Sequence, residues 1–393
     1  MRRLATAVLL FAVVAAALEL SSRAGLAVIG AVRGIVYQPI PAGLTPEQRQ
    51  VLEELLDRRN RYYAYHPIYG WTVAAGGQSE LYHANAQGIR AEREFDPEGA
   101  DDRVRIAAFG DSFTHADDVP NEATWEAVLE SLDPRLEVLN FGVSGFGPDQ
   151  AYLRYRLEGV RYHPDVVLLG FMSENINRLV NTFRPFYIPN TSLPLAKPRF
   201  ELEDGRLVLV PNPIPHLSDY AALREPEPTI LDRLGEHDYF YRHRLRASRL
   251  DALATVRLAR LFSEEVSELA DEDAPLVDGH YNTGSEAFRI ASALIDQFEE
   301  EAQANGSIPV IVLFPYIDDV QRVLAGEEPA YAPLEEYLED RGYRYLDLAP
   351  VIAELTDSTP LSEVYVPHFS PDANRVVAKT VRDYLEGQGL LQS

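Results

Sequence analysis

A serine hydroxyl attacks an ester when a base takes its proton and N–H donors hold the oxyanion that forms. Ser112 is placed for that chemistry. The apolar run 104–109 reads as a buried strand, and Gly110-Asp111-Ser112-Phe113 follows it directly. Gly110 permits a sharp turn, and a helix starting there would offer backbone N–H groups to an anion. Open α/β sheets bind their ligands at the carboxyl ends of strands. Taken alone, the segment reads more readily as a helix cap.

Three further segments could supply the other parts. Residues 138–147, with Gly142, Ser144, Gly145 and Gly147, form a short strand ending in a loop whose backbone can approach a substrate closely. The strand 165–171 leads into Ser173-Glu174-Asn175-Ile176, where Asn175 offers a side-chain N–H donor or a helix cap. His368, in Val366-Pro367-His368-Phe369-Ser370-Pro371, stands on a loop just ahead of a last helix.

In order and spacing these four segments resemble the SGNH (GDSL-type) hydrolase family, over roughly residues 60–390. The resemblance implies a three-layer α/β/α, flavodoxin-like fold around a parallel sheet. It implies Ser112 as nucleophile, His368 as base, and an oxyanion hole built from the Ser112 N–H, Gly145 and Asn175. The lead-in His66-Pro67-Ile68-Tyr69-Gly70-Trp71, followed by Asn85-Ala86-Gln87-Gly88-Ile89-Arg90, resembles that of membrane-anchored bacterial members.

Two positions depart from the pattern. The family's Asp three residues before the His is Tyr365 here, and the family's Gly-x-Asn-Asp reads Ser173-Glu174-Asn175-Ile176. A histidine without an orienting carboxylate holds the wrong tautomer part of the time. Glu363 or Asp372 could substitute, or a Ser–His dyad could serve. His280, in Val277-Asp278-Gly279-His280-Tyr281, is a rival base ahead of another helix, with Asp278 near enough in sequence to bond it. Asp111 is a further candidate cleft residue. His115 and His163 read as surface or supporting residues, His115 at the cleft mouth.

The elements that must position these residues follow from patterning. Strands at 104–109, 136–140, 165–171, 308–314 and 343–347 alternate with helices at 121–132, 148–160, 284–304, 332–341 and 371–387, which argues for a parallel sheet covered on both faces. The alternation breaks over 184–275, an inserted, mostly helical segment with a hairpin at 199–209 and helices at 217–234 and 237–270. Insertions beside a cleft often form lids or partner surfaces. The chain thus divides into 1–33, 34–100 (a linker helix at 46–59 and lead-in) and 101–393.

Arg2 and Arg3 precede an unbroken apolar run at 4–18, then Glu19, Ser21, Ser22, Arg23 and a second apolar run. This reads as a single-pass helix meeting the bilayer through residues 4–32, with the bulk extracytoplasmic, periplasmic in a Gram-negative cell. A cleaved signal peptide is the alternative. The 393-residue chain carries a net charge of −25, which argues against nucleic-acid binding. It has no cysteine, hence no thiolate nucleophile and no Cys-based metal site. No phosphate loop or metal-ligand cluster stands out, so no cofactor and no metal are expected. Two functions result: an extracytoplasmic serine esterase or acyltransferase acting on small or glycan-borne esters, and a non-catalytic SGNH-like subunit of a membrane protein complex.

Overall fold

The computed structural model of the protein describes residues 2–33, 35–41, 43–99, 103–224, 228–269 and 271–391. The expected boundaries at 34 and at 100–101 lie outside the described residues. Five strands form the central sheet: β1 (Val104–Phe109), β2 (Leu136–Asn140), β3 (Val166–Met172), β4 (Ile308–Phe314) and β5 (Tyr345–Asp347). They run parallel in the order β5-β4-β3-β1-β2. β1, β2 and β3 are buried along their whole length, and all of β4 is buried beyond Ile308. Strands covered on both faces read as continuous apolar runs, which is why the sequence marks β1, β3 and β4 so clearly.

Alternate residues face opposite layers. Ala107, Phe109, Val167 and Leu169 join the core under the helices Pro148–Leu157 and Glu286–Ala304. Ile106, Ala108, Val166 and Leu168 join the core under the helices Trp125–Leu132 and Pro371–Gly387. The result is a three-layer α/β/α sandwich of flavodoxin-like strand order. The helix that follows β1 and the helix that precedes β3 lie on opposite faces, which opens a crevice at the carboxyl ends of β1 and β3.

Pro309 interrupts β4 at no cost to the ladder. Ile308 N donates toward β3, to Asp165 O at 2.8 Å, so the missing N–H of Pro309 faces the other side. There β5 begins to pair only at Ile311.

The lead-in is part of the core. The helix Pro46–Leu56, opened by a Thr45–Gln48 capping box, buries Leu52 and Leu55. The hairpin Tyr63–His66/Gly70–Val73 buries Tyr69 and Trp71 in the same core as Phe109. The hairpin expected around Asp204-Gly205 is present as Arg199–Glu203/Arg206–Val210. The helices of the insertion differ from expectation. The span 217–234 is a 3-10 turn (Leu217–Leu223) and a short helix (Pro228–Leu234), with 225–227 outside the described residues. The span 237–270 breaks into Tyr239–His243, Arg249–Ala252 and Ala254–Leu269, residue 270 lying outside the described residues. The break at 244–248 has a tertiary cause: Ile40 N donates to Leu245 O and Ala247 N to Ile40 O, so this backbone pairs with the segment after the N-terminal helix Arg2–Arg33 instead of with itself.

Candidate active site

β1 ends at Phe109, and Ser112 begins a one-turn helix, Ser112–His115. Asp111 caps it, its Oδ1 accepting from Phe113 N at 2.9 Å. The turn is tight enough to require glycine: a Cβ at Gly110 would stand 2.0 Å from Thr114 Oγ1 and 3.3 Å from the Gly170 carbonyl oxygen. The loop after β2 is clamped onto this turn, with Phe141 N on Ala108 O at 2.8 Å and Val143 N on Gly110 O at 3.1 Å. Gly142 lies directly against the helix Ser112–His115, where a Cβ would meet His115 N at 2.2 Å. Gly145 has φ +78°, and its carbonyl accepts from Arg184 Nη1 at 2.7 Å. Among the described residues neither the Ser112 nor the Gly145 backbone N–H has a hydrogen-bond partner.

Asn175 follows β3. Its Oδ1 accepts from Met172 N at 3.1 Å and closes the turn, while its Nδ2 donates to Asp111 Oδ2 at 2.9 Å. An amide nitrogen carries two protons, so one N–H remains beside the residue that precedes Ser112. Arg178 joins the same carboxylate at 3.2 Å, reaches Phe146 O at 2.8 Å and pairs with Glu174. Sequence reasoning missed Arg178; its one signal is the i, i+3 spacing from Asn175, which puts both on one side of a helical turn. Burial, with Arg178 adding to it, pushes the Arg184 guanidinium down to about 10.

His368 lies over this turn, its ring edge-on to Phe113 with centroids 5.2 Å apart. Its Nδ1 meets Asp118 Oδ2 at 2.6 Å, and its backbone N–H donates to the same oxygen at 3.3 Å. The carboxylate facing the imidazole is therefore Asp118, six residues past Ser112. Glu363 and Asp372 do not bond His368, and Asp372 pairs with Arg375. Tyr365 is buried and donates its hydroxyl to Pro315 O at 2.9 Å, under the loop. No hydrogen bond joins Ser112 Oγ to His368 Nε2 among the described residues, and Ser112 is 5% exposed. Catalytic contacts are often long in empty sites and tighten with substrate.

Asp118 reaches the imidazole from a backbone that few residues adopt. Ala116 and Asp118 have φ +57° and +70°, left-handed for residues other than glycine. Such strain persists where the surroundings over-determine it. Here buried Arg90 straps the loop, donating to the carbonyls of His115, Ala116 and Val119 and to Asn121 Oδ1.

Two histidines sit differently from expectation. His115 is fully buried, not at the cleft mouth. Its Nδ1 faces Asp117 and its Nε2 the Tyr62 hydroxyl. Burial, reinforced by Arg90, lowers its pKa to about 4, so the ring is neutral at pH 7, donating to Asp117 and accepting from Tyr62. His280 precedes the helix Glu286–Ala304, but from within a small hairpin formed by Leu276–Val277 and His280–Tyr281. Its two-residue loop, Asp278-Gly279, is left-handed at both positions (φ +52° and +77°) as a type I′ turn requires, and the next helix begins at Glu286. His280 and Asp278 do not bond each other among the described residues. His163 is exposed.

No protein-family model matches the chain, and no curated protein matches it. Solved structures do. A lipolytic protein of the G-D-S-L family from Desulfitobacterium hafniense is 15% identical, with a TM-score of 0.35, over 72% of this chain and 100% of its own. An acetylxylan esterase from Geobacillus stearothermophilus is 12% identical, with a TM-score of 0.37, over 76% and 100%. A two-domain esterase active on acetylated mannans is 8% identical, with a TM-score of 0.35, over 72% of this chain and 49% of its own.

The buried histidine makes stability depend on pH with a definite sign. His115 takes a proton near pH 6.5 when unfolded but only near 4 when folded, so the unfolded chain binds more protons between those values. Stability is expected to fall as pH drops through that window, by up to about 1.4 kcal/mol per unit. Melting of wild type and His115→Gln at pH 6.5, 5.5 and 4.5 checks this: the variant should lose much of the slope, and equal slopes would contradict the assignment. Tyr365→Asp restores the residue that the family resemblance places before the histidine, yet it buries a carboxylate beside Pro315. It is expected to melt several degrees lower with no gain in ester turnover.

Proposed function

We propose that this protein is a membrane-anchored, extracytoplasmic serine ester hydrolase in which Ser112 is the nucleophile, His368 the base and Asp118 the orienting carboxylate. The observation that carries this reading is the 2.6 Å contact between His368 Nδ1 and Asp118 Oδ2. It supplies from the nucleophile's own loop what position 365 lacks. A carboxylate on Nδ1 fixes the tautomer that leaves Nε2 free to accept a proton, and it stabilises the imidazolium that follows.

The chemistry then runs in two halves. His368 Nε2 takes the Ser112 proton as Oγ bonds the ester carbon. The oxyanion is held by the Ser112 and Gly145 N–H groups and the second N–H of Asn175, and the intermediate collapses as the leaving alkoxide takes the proton back. Water, giving a proton to His368, attacks the acyl-serine; the acid leaves as that proton passes from His368 to Ser112 Oγ. An acceptor alcohol replacing water makes the same site an acyltransferase. Small acyl esters and acylated glycans are the substrates implied by the sequence resemblance.

A second reading is favoured by one observation. Ser112 is nearly buried and unbonded to His368, which suits a non-catalytic subunit bracing a membrane complex. Hydrolysis of an aryl acetate by the full-length protein in detergent separates the two. Ester turnover that is abolished in a folded Ser112→Ala variant is the enzyme result; turnover retained in that variant would remove Ser112 as nucleophile. Asp118→Asn is expected to lower kcat by about 10–100-fold, less than a buried orienting carboxylate contributes because its side chain is 37% exposed. Glu363→Gln should leave kcat unchanged; the reverse ranking would return the orienting role to Glu363.

A further inference from the structure

The helix Arg2–Arg33 is longer than its unbroken apolar part. Residues 4–18 rise about 22 Å, short of the roughly 30 Å hydrocarbon core. The remaining depth falls on the residues around Glu19. A carboxylate at that depth needs partners, and Glu19 has them. Its Oε1 accepts from Ala254 N at 2.8 Å, and its Oε2 from Thr255 N and Thr255 Oγ1, both at 3.1 Å. These groups open the helix Ala254–Leu269, whose dipole favours a negative charge at this end.

The two helices then run side by side in the same direction. A Cβ at Gly25 would stand 3.6 Å from Leu258 Cδ2, and Ile29 and Arg33 border one cavity of about 300 Å³ with Leu261 and Phe262. The helix Ala254–Leu269 therefore leads away from the apolar segment, and the turn before it points back toward that segment. Whatever depth Glu19 has, this turn shares. It presents Leu250 at 62% and Leu253 at 49% exposure, level with the exposed Leu18 and Leu20 of the anchor. Arg249 beside them is exposed, and Asp251 is paired with Arg260 at 2.8 Å. Apolar tips flanked by arginine suit the boundary between acyl chains and headgroups.

We propose that residues 248–253 dip into the lipid interface as a second membrane contact, which holds the domain against the bilayer at a set height. This rests on the reading of Arg2–Arg33 as a retained anchor, and the test separates the two. The chain has no cysteine, so single cysteines report singly. Full-length Leu250→Cys, carrying an environment-sensitive nitrobenzoxadiazole label, is reconstituted into phospholipid vesicles containing lipid spin-labelled near the headgroup for Leu250 and at mid-chain for Val13. Val13→Cys reports on the anchor, and Leu132→Cys, on the sheet domain and 42% exposed, gives the solvent value.

The expected result is a blue-shifted Leu250 label that loses most of its emission to the spin-labelled lipid. A quenched Val13 label with a Leu250 label matching Leu132 would overturn the proposal and leave the anchor standing. A blue-shifted but unquenched Leu250 label would assign the tip to a protein partner and also overturn it. An unquenched Val13 label would remove the anchor and the proposal together.

Discussion

The Asp111 carboxylate holds the candidate site together. One oxygen caps the helix that begins at Ser112; the other gathers Asn175 and Arg178 from the end of β3. Through Arg178 the same cluster reaches Phe146 O and so the loop after β2. Three segments that meet only in the folded chain thus share one buried charge, 2% exposed. Removing one partner of such a buried pair typically costs about 3–5 kcal/mol, because the other charge is left without compensation. The glycine contacts depend on this convergence: Gly110, Gly142 and Gly170 let three backbones approach more closely than any side chain would permit.

The sheet and the positions of Ser112, Gly145, Asn175 and His368 at its carboxyl edge were legible because they rest on local pattern. A strand buried on both faces writes itself as an apolar run, and a turn that needs glycine carries one. What stayed hidden depends on partners distant in the chain. Asp118 meets His368 across 250 residues, and its left-handed backbone is held by Arg90 from a third segment. Nothing local marks it, and the carboxylates nearest His368 in sequence, Glu363 and Asp372, drew attention instead. The span 237–270 reads as helix in the sequence, but pairing with Ile40 divides it. His280 resembled a second base in the sequence because a helix follows it and Asp278 is near, but Asp278 and Gly279 form the turn of a small hairpin.

His115 shows why residue type alone misleads. A histidine three residues from a nucleophile invites a surface or catalytic role. Its ring is instead sealed behind the helix Ser112–His115, neutral, with both nitrogens engaged by Asp117 and Tyr62. It ties the lead-in to the loop that carries Asp118. The lead-in is therefore more than a spacer ahead of the sheet: Trp71 Nε1 donates to Ser144 O at 3.0 Å, and Arg90 shapes the strained loop. The lead-in and the candidate site form one connected set of contacts.

The central claim is that Ser112 is an activated nucleophile. A serine-directed fluorophosphonate tests it without knowledge of the natural ester, because only a serine with a working base and oxyanion donors displaces the fluoride quickly. Peptide mass mapping of the treated full-length protein should place a single adduct on Ser112, with the rate of labelling much reduced in His368→Ala. An unmodified Ser112, or an adduct formed equally fast without His368, would contradict the account.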